Sequence, residues 1–231
     1  MKGIAIAAAL GALLLAAPAG AQVASPRWGS LELGGGPYLP RVDHEFAAGT
    51  APWHEVFGGA PAPMWRLHLS RAVYAGAGGS IEVGIRTGYF TKSGHAVDRA
   101  GAPTADRATF SLVPTSLTLT YRADQLYEGW RFPLLPYARV ALERYNWWTA
   151  KGSKWTQRGA TNGFSASAGV ALVIDFLDPQ AARDLDNEIG VNHSALYLDV
   201  TKSKVDDFGG GRSCDLSENR LFWSAGLLLV L

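Results

Sequence analysis

The sequence predicts an all-β chain: an eight-stranded antiparallel transmembrane β-barrel with one short periplasmic helix between strands 6 and 7. Three observations carry this. Residues 1–21 read as an export signal. Beyond them, no window holds the roughly twenty consecutive apolar residues that a membrane-spanning helix needs. Eight segments instead alternate apolar and polar residues with a period of two. Barrel strands escape hydropathy scans because only every second residue is apolar.

The export signal has a charged head (Met1, Lys2), the apolar run "IAIAAALGALLLAAPA" and a small-x-small site at Ala19-Gly20-Ala21. Pro18 breaks the run, which argues against an uncleaved anchor. Cleavage after Ala21 leaves 22–231 as one barrel domain, and no Cys follows the site as a lipoprotein would require. Lys and Arg total 21 against 20 Asp and Glu, so no basic stripe points to nucleic acid. Cys214 is the sole cysteine and can form no internal disulfide; it reads as an incidental thiol.

The first strand is "WGSLELGGG" (28–36). The second sets Trp65, Leu67 and Leu69 against Arg66, His68 and Ser70, and the third Ile81, Val83, Ile85 and Tyr89 against Glu82, Gly84, Arg86 and Gly88. In the fourth, Val113, Leu117, Leu119 and Tyr121 oppose Ser116, Thr118 and Thr120. The fifth opposes Ala138, Val140 and Leu142 to Arg139 and Glu143; the sixth opposes Ala166, Ala168, Val170, Leu172 and Ile174 to Ser165, Ser167 and Gly169. The seventh sets Leu196, Leu198 and Val200 against Tyr197, Asp199 and Thr201. The eighth, "RLFWSAGLLLVL", runs to the last residue and closes against the first, leaving no edge open in lipid.

Gly, Pro, Asp and Asn clusters separate these segments. Long connections (38–63, 91–108, 149–162) alternate with shorter ones, the asymmetry of outer-membrane barrels. The sixth connection breaks the rule. Asp178 as cap, Pro179 at the first helical position and Gly190 as stop predict a helix over 179–187, placed as a plug under the barrel.

Alternation alone also fits a soluble periplasmic lipid-binding barrel; the polar face decides. It collects Arg66, Arg86, Arg139 and Arg220 with Glu32, Glu82, Glu143 and Asp199, plus His68 and many small residues, and almost no Lys. Matched Arg and carboxylate groups suit an enclosed lumen, where an unpaired charge costs several kcal/mol. Aromatic residues near strand ends (Trp65, Tyr89, Tyr121, Trp147, Trp223, with Trp130 in a turn) match girdles at the membrane interfaces. Eight strands leave a lumen that side chains nearly fill, so no large open pore is expected. Leu228 and Val230 fall on the inner face and are read as packing near the plug.

A catalytic role is not expected. His193-Ser194 is the one adjacent His–Ser pair, with Asp199 further along, but strand neighbours point to opposite faces. The loop carboxylates and imidazoles Asp43, His44, Glu45, His54 and Glu55 lack a metal-binding spacing, so no metal or cofactor is assigned. A lipid-modifying barrel enzyme is the competing reading. It would alter lipid A acyl patterns.

"LELGGGPYLP", "FLDPQAARDLDNEIGVNHSALYLDV" and the closing "SAGLLLVL" resemble a family of small outer-membrane β-barrel proteins best known from myxobacteria. The resemblance covers most of the mature chain, and "DPQAARDLDNEIGVNHS" is its most specific block. It implies an eight-stranded barrel in a Gram-negative cell envelope, with no established activity and no catalytic residues to carry over. One departure from the wider barrel class is the final Leu231, where insertion machinery often reads Phe. The expected partners are outer-membrane lipid and that insertion machinery, with no nucleic acid; a periplasmic or cell-surface protein partner is left open. The expected role is structural, adhesive or small-ligand binding.

Overall fold

A computed structural model describes residues 27–231 except positions 48, 77, 98–101, 131, 153, 211–213 and 219–220. The stretch read as an export signal (1–21) and Arg220 lie outside the described residues. Eight strands form: β1 (Gly29–Tyr38), β2 (Ala62–Gly76), β3 (Gly79–Val97), β4 (Pro103–Arg122), β5 (Leu134–Lys151), β6 (Lys154–Val173), β7 (His193–Lys204) and β8 (Phe222–Val230). Each pairs antiparallel with its sequence neighbour, and β1 pairs with β8, so the sheet closes as a barrel. The seam runs from Ser30↔Val230 to Gly35↔Ala225. Trp28 N–H donates to Leu231 O (2.7 Å) and Leu231 N–H to Gly29 O (2.9 Å), so the last residue belongs to the closure. We call the end holding Trp28 and Leu231 the base and the other the rim.

Among the described residues, three short α-helices lie in the connections: α1 (Pro52–Phe57) at the rim, α2 (Gln125–Glu128) and α3 (Pro179–Ile189) at the base. No helix among the described residues is long and apolar enough to cross a membrane. Asp178 caps α3 by accepting from Gln180 N–H (3.2 Å) and Ala181 N–H (3.0 Å), and Gly190 ends it at φ 72°.

Two expectations about the connections are corrected. Much of 91–108 and 149–162 is strand: β3–β4 and β5–β6 extend past the barrel as hairpins. Their polar side chains satisfy one another across the ladder, as in Ser93–Thr109 (3.1 Å) and Thr149–Thr156 (2.8 Å), so pairing there needs no apolar face. Nor is α3 a plug. None of its residues is buried, and Leu185 and Ile189 stay exposed. At the base the barrel supplies its own packing: Leu135, Tyr137, Ala171, Val173, Ala195, Tyr197, Leu228 and Val230 form one buried cluster on the β5–β8 side, with Tyr127 of α2 packed against it. That cluster is what the inward Leu228 and Val230 meet.

Polarity is inverted relative to a water-soluble barrel. Outward residues are apolar and exposed: Leu67, Leu117, Leu119, Val140, Leu142 (61%), Leu196, Leu198 and Leu227. Inward residues are polar and buried. Exposed aromatic rings flank the aliphatic zone, with Trp65, Tyr89 and Trp223 toward the rim and Tyr121 and Trp130 toward the base. Trp147 is corrected to the inner side. It shares the parity of Glu143 and Tyr145, and stacks on Phe110 at 6.2 Å between centroids. Trp148 is its outward neighbour.

Candidate functional site

The lumen holds eight residues picked out by the period-two pattern: Glu32, Arg66, His68, Glu82, Arg86, Arg139, Glu143 and Asp199, all buried. They fall into three linked sets. Nearest the base, Glu82 accepts from Ser30 (2.8 Å), Ser70 (2.5 Å) and Arg122 Nε (3.3 Å). In the middle, Arg139 donates to Glu32 (2.5 Å) and Thr120 (3.0 Å). His68 bridges Thr118 (2.8 Å) and Glu32, whose Oε2 lies 3.3 Å from Nδ1. Asp199 accepts from Tyr137 (3.0 Å) and Ser224 (2.6 Å). Nearest the rim, Glu143 takes Arg86 (2.6 Å), Ser165 (2.6 Å) and Ser116.

Glycine makes room for this packing. A Cβ on Gly34 would collide with the Tyr197 phenol, and one on Gly169 would come 2.7 Å from the Tyr137 ring. The small residues of the inner face are therefore the space into which tyrosines and arginines fit.

The pattern missed two members. Arg122, 1% exposed, reaches both Glu82 and Glu32. Its parity continues Ser116, Thr118 and Thr120, so the signal was present at the strand's last residue. Glu218 comes from the β7–β8 connection and carried no periodic signal. It lies 3.5 Å from Arg66 and accepts from Ser203 N–H (3.1 Å) and Oγ. Burial pushes its carboxyl up to about 7, against the pull of the Arg66 guanidinium.

Above the charged layer, Tyr38, Trp53, Met64, Phe90, Phe110, Leu112, Tyr145, Val205, Leu216 and Phe222 form a second apolar cluster. Trp53 of α1 covers it from the β1–β2 connection, edge-on to Phe110 at 5.1 Å. That connection is tied across the rim to the β7–β8 segment. Pro40 pairs with Glu218, Arg41 N–H donates to Ser217 O (3.0 Å), and Tyr38 OH donates to Leu216 O (2.5 Å).

Between these two segments opens a cleft of about 660 Å³. Apolar walls come from Leu39, Trp53, Leu221 and Trp223, and polar groups from Arg41, Asp43, His44, His54 and Glu218. The carboxylates are already engaged: Asp43 accepts from Trp53 N–H (2.6 Å) and His54 N–H (3.1 Å), while Glu218 is held by Arg66 and Ser203. Arg41 Nη2 lies 3.3 Å from His44 Nδ1. Arg41 is the one Arg or Lys among the described residues that line the cleft. Among the described residues, no three His, Cys, Asp or Glu side chains cluster as metal ligands.

His193 and Ser194 both lean on Asp175, a residue the pattern did not select. His193 Nδ1 lies 2.7 Å from Asp175 Oδ2, and Ser194 N–H donates to Oδ1 (2.8 Å). Asp199 points into the lumen instead. Burial pushes the Cys214 thiol up to about 11, which keeps it protonated near neutral pH.

No family model matches the chain, and no curated protein matches it. Among solved structures it is similar to Neisserial surface protein A, at 9% identity over 88% of this chain and 96% of that one, with a TM-score of 0.48. It is also similar to Ail, the attachment invasion locus protein of Yersinia pestis, at 8% identity over 88% of this chain and 97% of that one, with a TM-score of 0.40. For Ail in complex with the heparin analogue sucrose octasulfate the values are 8%, 88%, 99% and 0.41.

Proposed function

We propose that this chain is an outer-membrane barrel that does not conduct and acts through its rim, binding a small, acceptor-rich ligand. One observation carries the reading. Paired charges fill the barrel interior between two buried apolar clusters, while a cleft of about 660 Å³ opens at the rim, lined by Arg41, His44 and His54. The inverted polarity supports a membrane location: an exposed aliphatic zone between aromatic girdles is stable in lipid and a liability in water. Membership of the myxobacterial family is part of the proposal and rests on the block 178–194.

Fractionation of native cells tests the location. The protein is expected in the detergent-requiring outer-membrane pool, and recovery in the soluble periplasmic pool would overturn the reading. Titration with carboxylated and sulfated monosaccharides, followed by intrinsic tryptophan fluorescence, tests the cleft. Binding is expected in the parent chain and lost in Arg41→Ala; no response to any acid in the panel removes the ligand role.

A further inference from the structure

The rim-side edge of the outer surface differs around the barrel. On β2, β3 and β8 the apolar zone ends in the rings of Trp65, Tyr89 and Trp223. On β5 and β7 it ends in cations. Lys202 and Lys204 continue the outward stripe of Leu196, Leu198 and Val200, and Arg144 continues that of Val140 and Leu142. The register gathers them round one exposed ring. Phe164 on β6 pairs with Leu142 on one side and Lys204 on the other; Ala166 pairs with Lys202, and Asn162 with Arg144.

A cation facing hydrocarbon is destabilising by a few kcal/mol at the bilayer midplane and nearly neutral at the interface. Three cations directly above an aliphatic zone therefore mark the headgroup plane on this flank. They are unevenly engaged. Lys204 lies 3.5 Å from Asp206, and Arg144 donates one N–H to Asn162 (3.0 Å). Lys202 is exposed, with no carboxylate at ion-pair distance among the described residues. Directly below Lys202 the outer wall is hollowed. A groove of about 450 Å³ runs past Ala168 and Val170, walled by Leu198, Val200 and Trp223. The small side chain of Ala168 keeps it open.

We propose that this flank holds a lipid with a phosphate headgroup from the rim-side leaflet. Its phosphate sits on Lys202, Lys204 and Arg144, and one acyl chain lies in the groove against Ala168 and Trp223. The hollow begins at Val200, the next outward residue below Lys202, so charge and apolar groove adjoin on the same face, as do the two ends of such a molecule. The inference rests on the outer-membrane reading above and adds a place and a chemistry to it.

Brominated lipids test it, because bromine on an acyl chain quenches a tryptophan that it touches. The purified barrel is placed in phosphatidylcholine vesicles containing a minor share of dibrominated phosphatidylglycerol or, at the same share, dibrominated phosphatidylcholine. The Trp223 signal is taken as the difference from Trp223→Phe. The anionic lipid is expected to win by about fivefold for each unpaired cation it meets. The triple change Arg144→Gln, Lys202→Gln and Lys204→Gln should bring the ratio to about one, and Ala168→Phe should remove Trp223 quenching by either lipid. Equal ratios in the parent and the triple variant would overturn the proposal. So would full displacement by inorganic phosphate at constant ionic strength, which would assign the cations to a free anion. If no brominated lipid quenches any tryptophan, the barrel has not inserted, and it is the outer-membrane reading that fails.

Discussion

The barrel strands hold cations in two settings, and they do different work. Inside, Arg86, Arg122 and Arg139 are almost wholly buried, each against a carboxylate and a hydroxyl. Outside, Arg144 and its neighbours Lys202 and Lys204 are exposed and largely free of carboxylates. The positive charge is shared; the surroundings decide its role. A buried guanidinium far from water must be paired, so it fixes the positions of its partners and fills space. An exposed cation loses little solvation, so its charge remains available to a ligand.

Breaking one inner pair should have the largest effect. Glu32→Leu strips Arg139, Arg122 and His68 of a shared partner, and a drop of about 3–5 kcal/mol in unfolding free energy is expected. Urea unfolding from lipid vesicles measures this; a change under 1 kcal/mol would mean that the lumen is wet. Arg86 and Glu143 sharpen the comparison. Arg86→Met alone should destabilise on the same scale, whereas joining it to Glu143→Leu should recover most of the loss, because no lone buried charge remains.

Glu218 sits between the two regimes. Its carboxyl titrates at about 7 in the fold against 4.5 when unfolded, so the fold binds its proton more tightly. Its share of stability is full below the unfolded value and is lost as pH rises through about 7, on the order of 3 kcal/mol. The rim ties at Pro40 and Ser203 should loosen accordingly between pH 5 and pH 8. Amide exchange in the β7–β8 segment, corrected for its intrinsic pH dependence, reads this, and Glu218→Gln should flatten the profile. Least affected of all should be the exposed band. Lys202→Gln is expected to shift unfolding by less than about 0.5 kcal/mol, and a larger loss would mean that Lys202 is structural.

Much of the inner layer was legible because a barrel strand writes its two faces into alternate residues. Glu82, Arg86, Arg139 and Glu143 needed nothing more than parity. Arg122 had the same parity but stood at the end of β4, where strand and turn chemistry overlap. Trp147 was assigned by its nearness to a strand end, and parity would have placed it inside beside Tyr145. The extended hairpins were hidden because Ser93, Thr109, Thr149 and Thr156 carry no apolar period. Glu218 and Trp53 were beyond reach for a different reason. Each lies in an irregular connection and meets its partners only when the ring closes and brings β1–β2 against β7–β8. The base cluster shows the same limit: Leu228 could be placed inward, but its neighbours Leu135 and Val173 come from strands that only the closed register brings near.

We propose that paired charges, packed between apolar clusters at base and rim, leave no through-path. Single-channel recording of the purified, folded protein in planar bilayers tests it most directly. A silent membrane is expected once insertion is confirmed. Large, steady, weakly selective openings would contradict it.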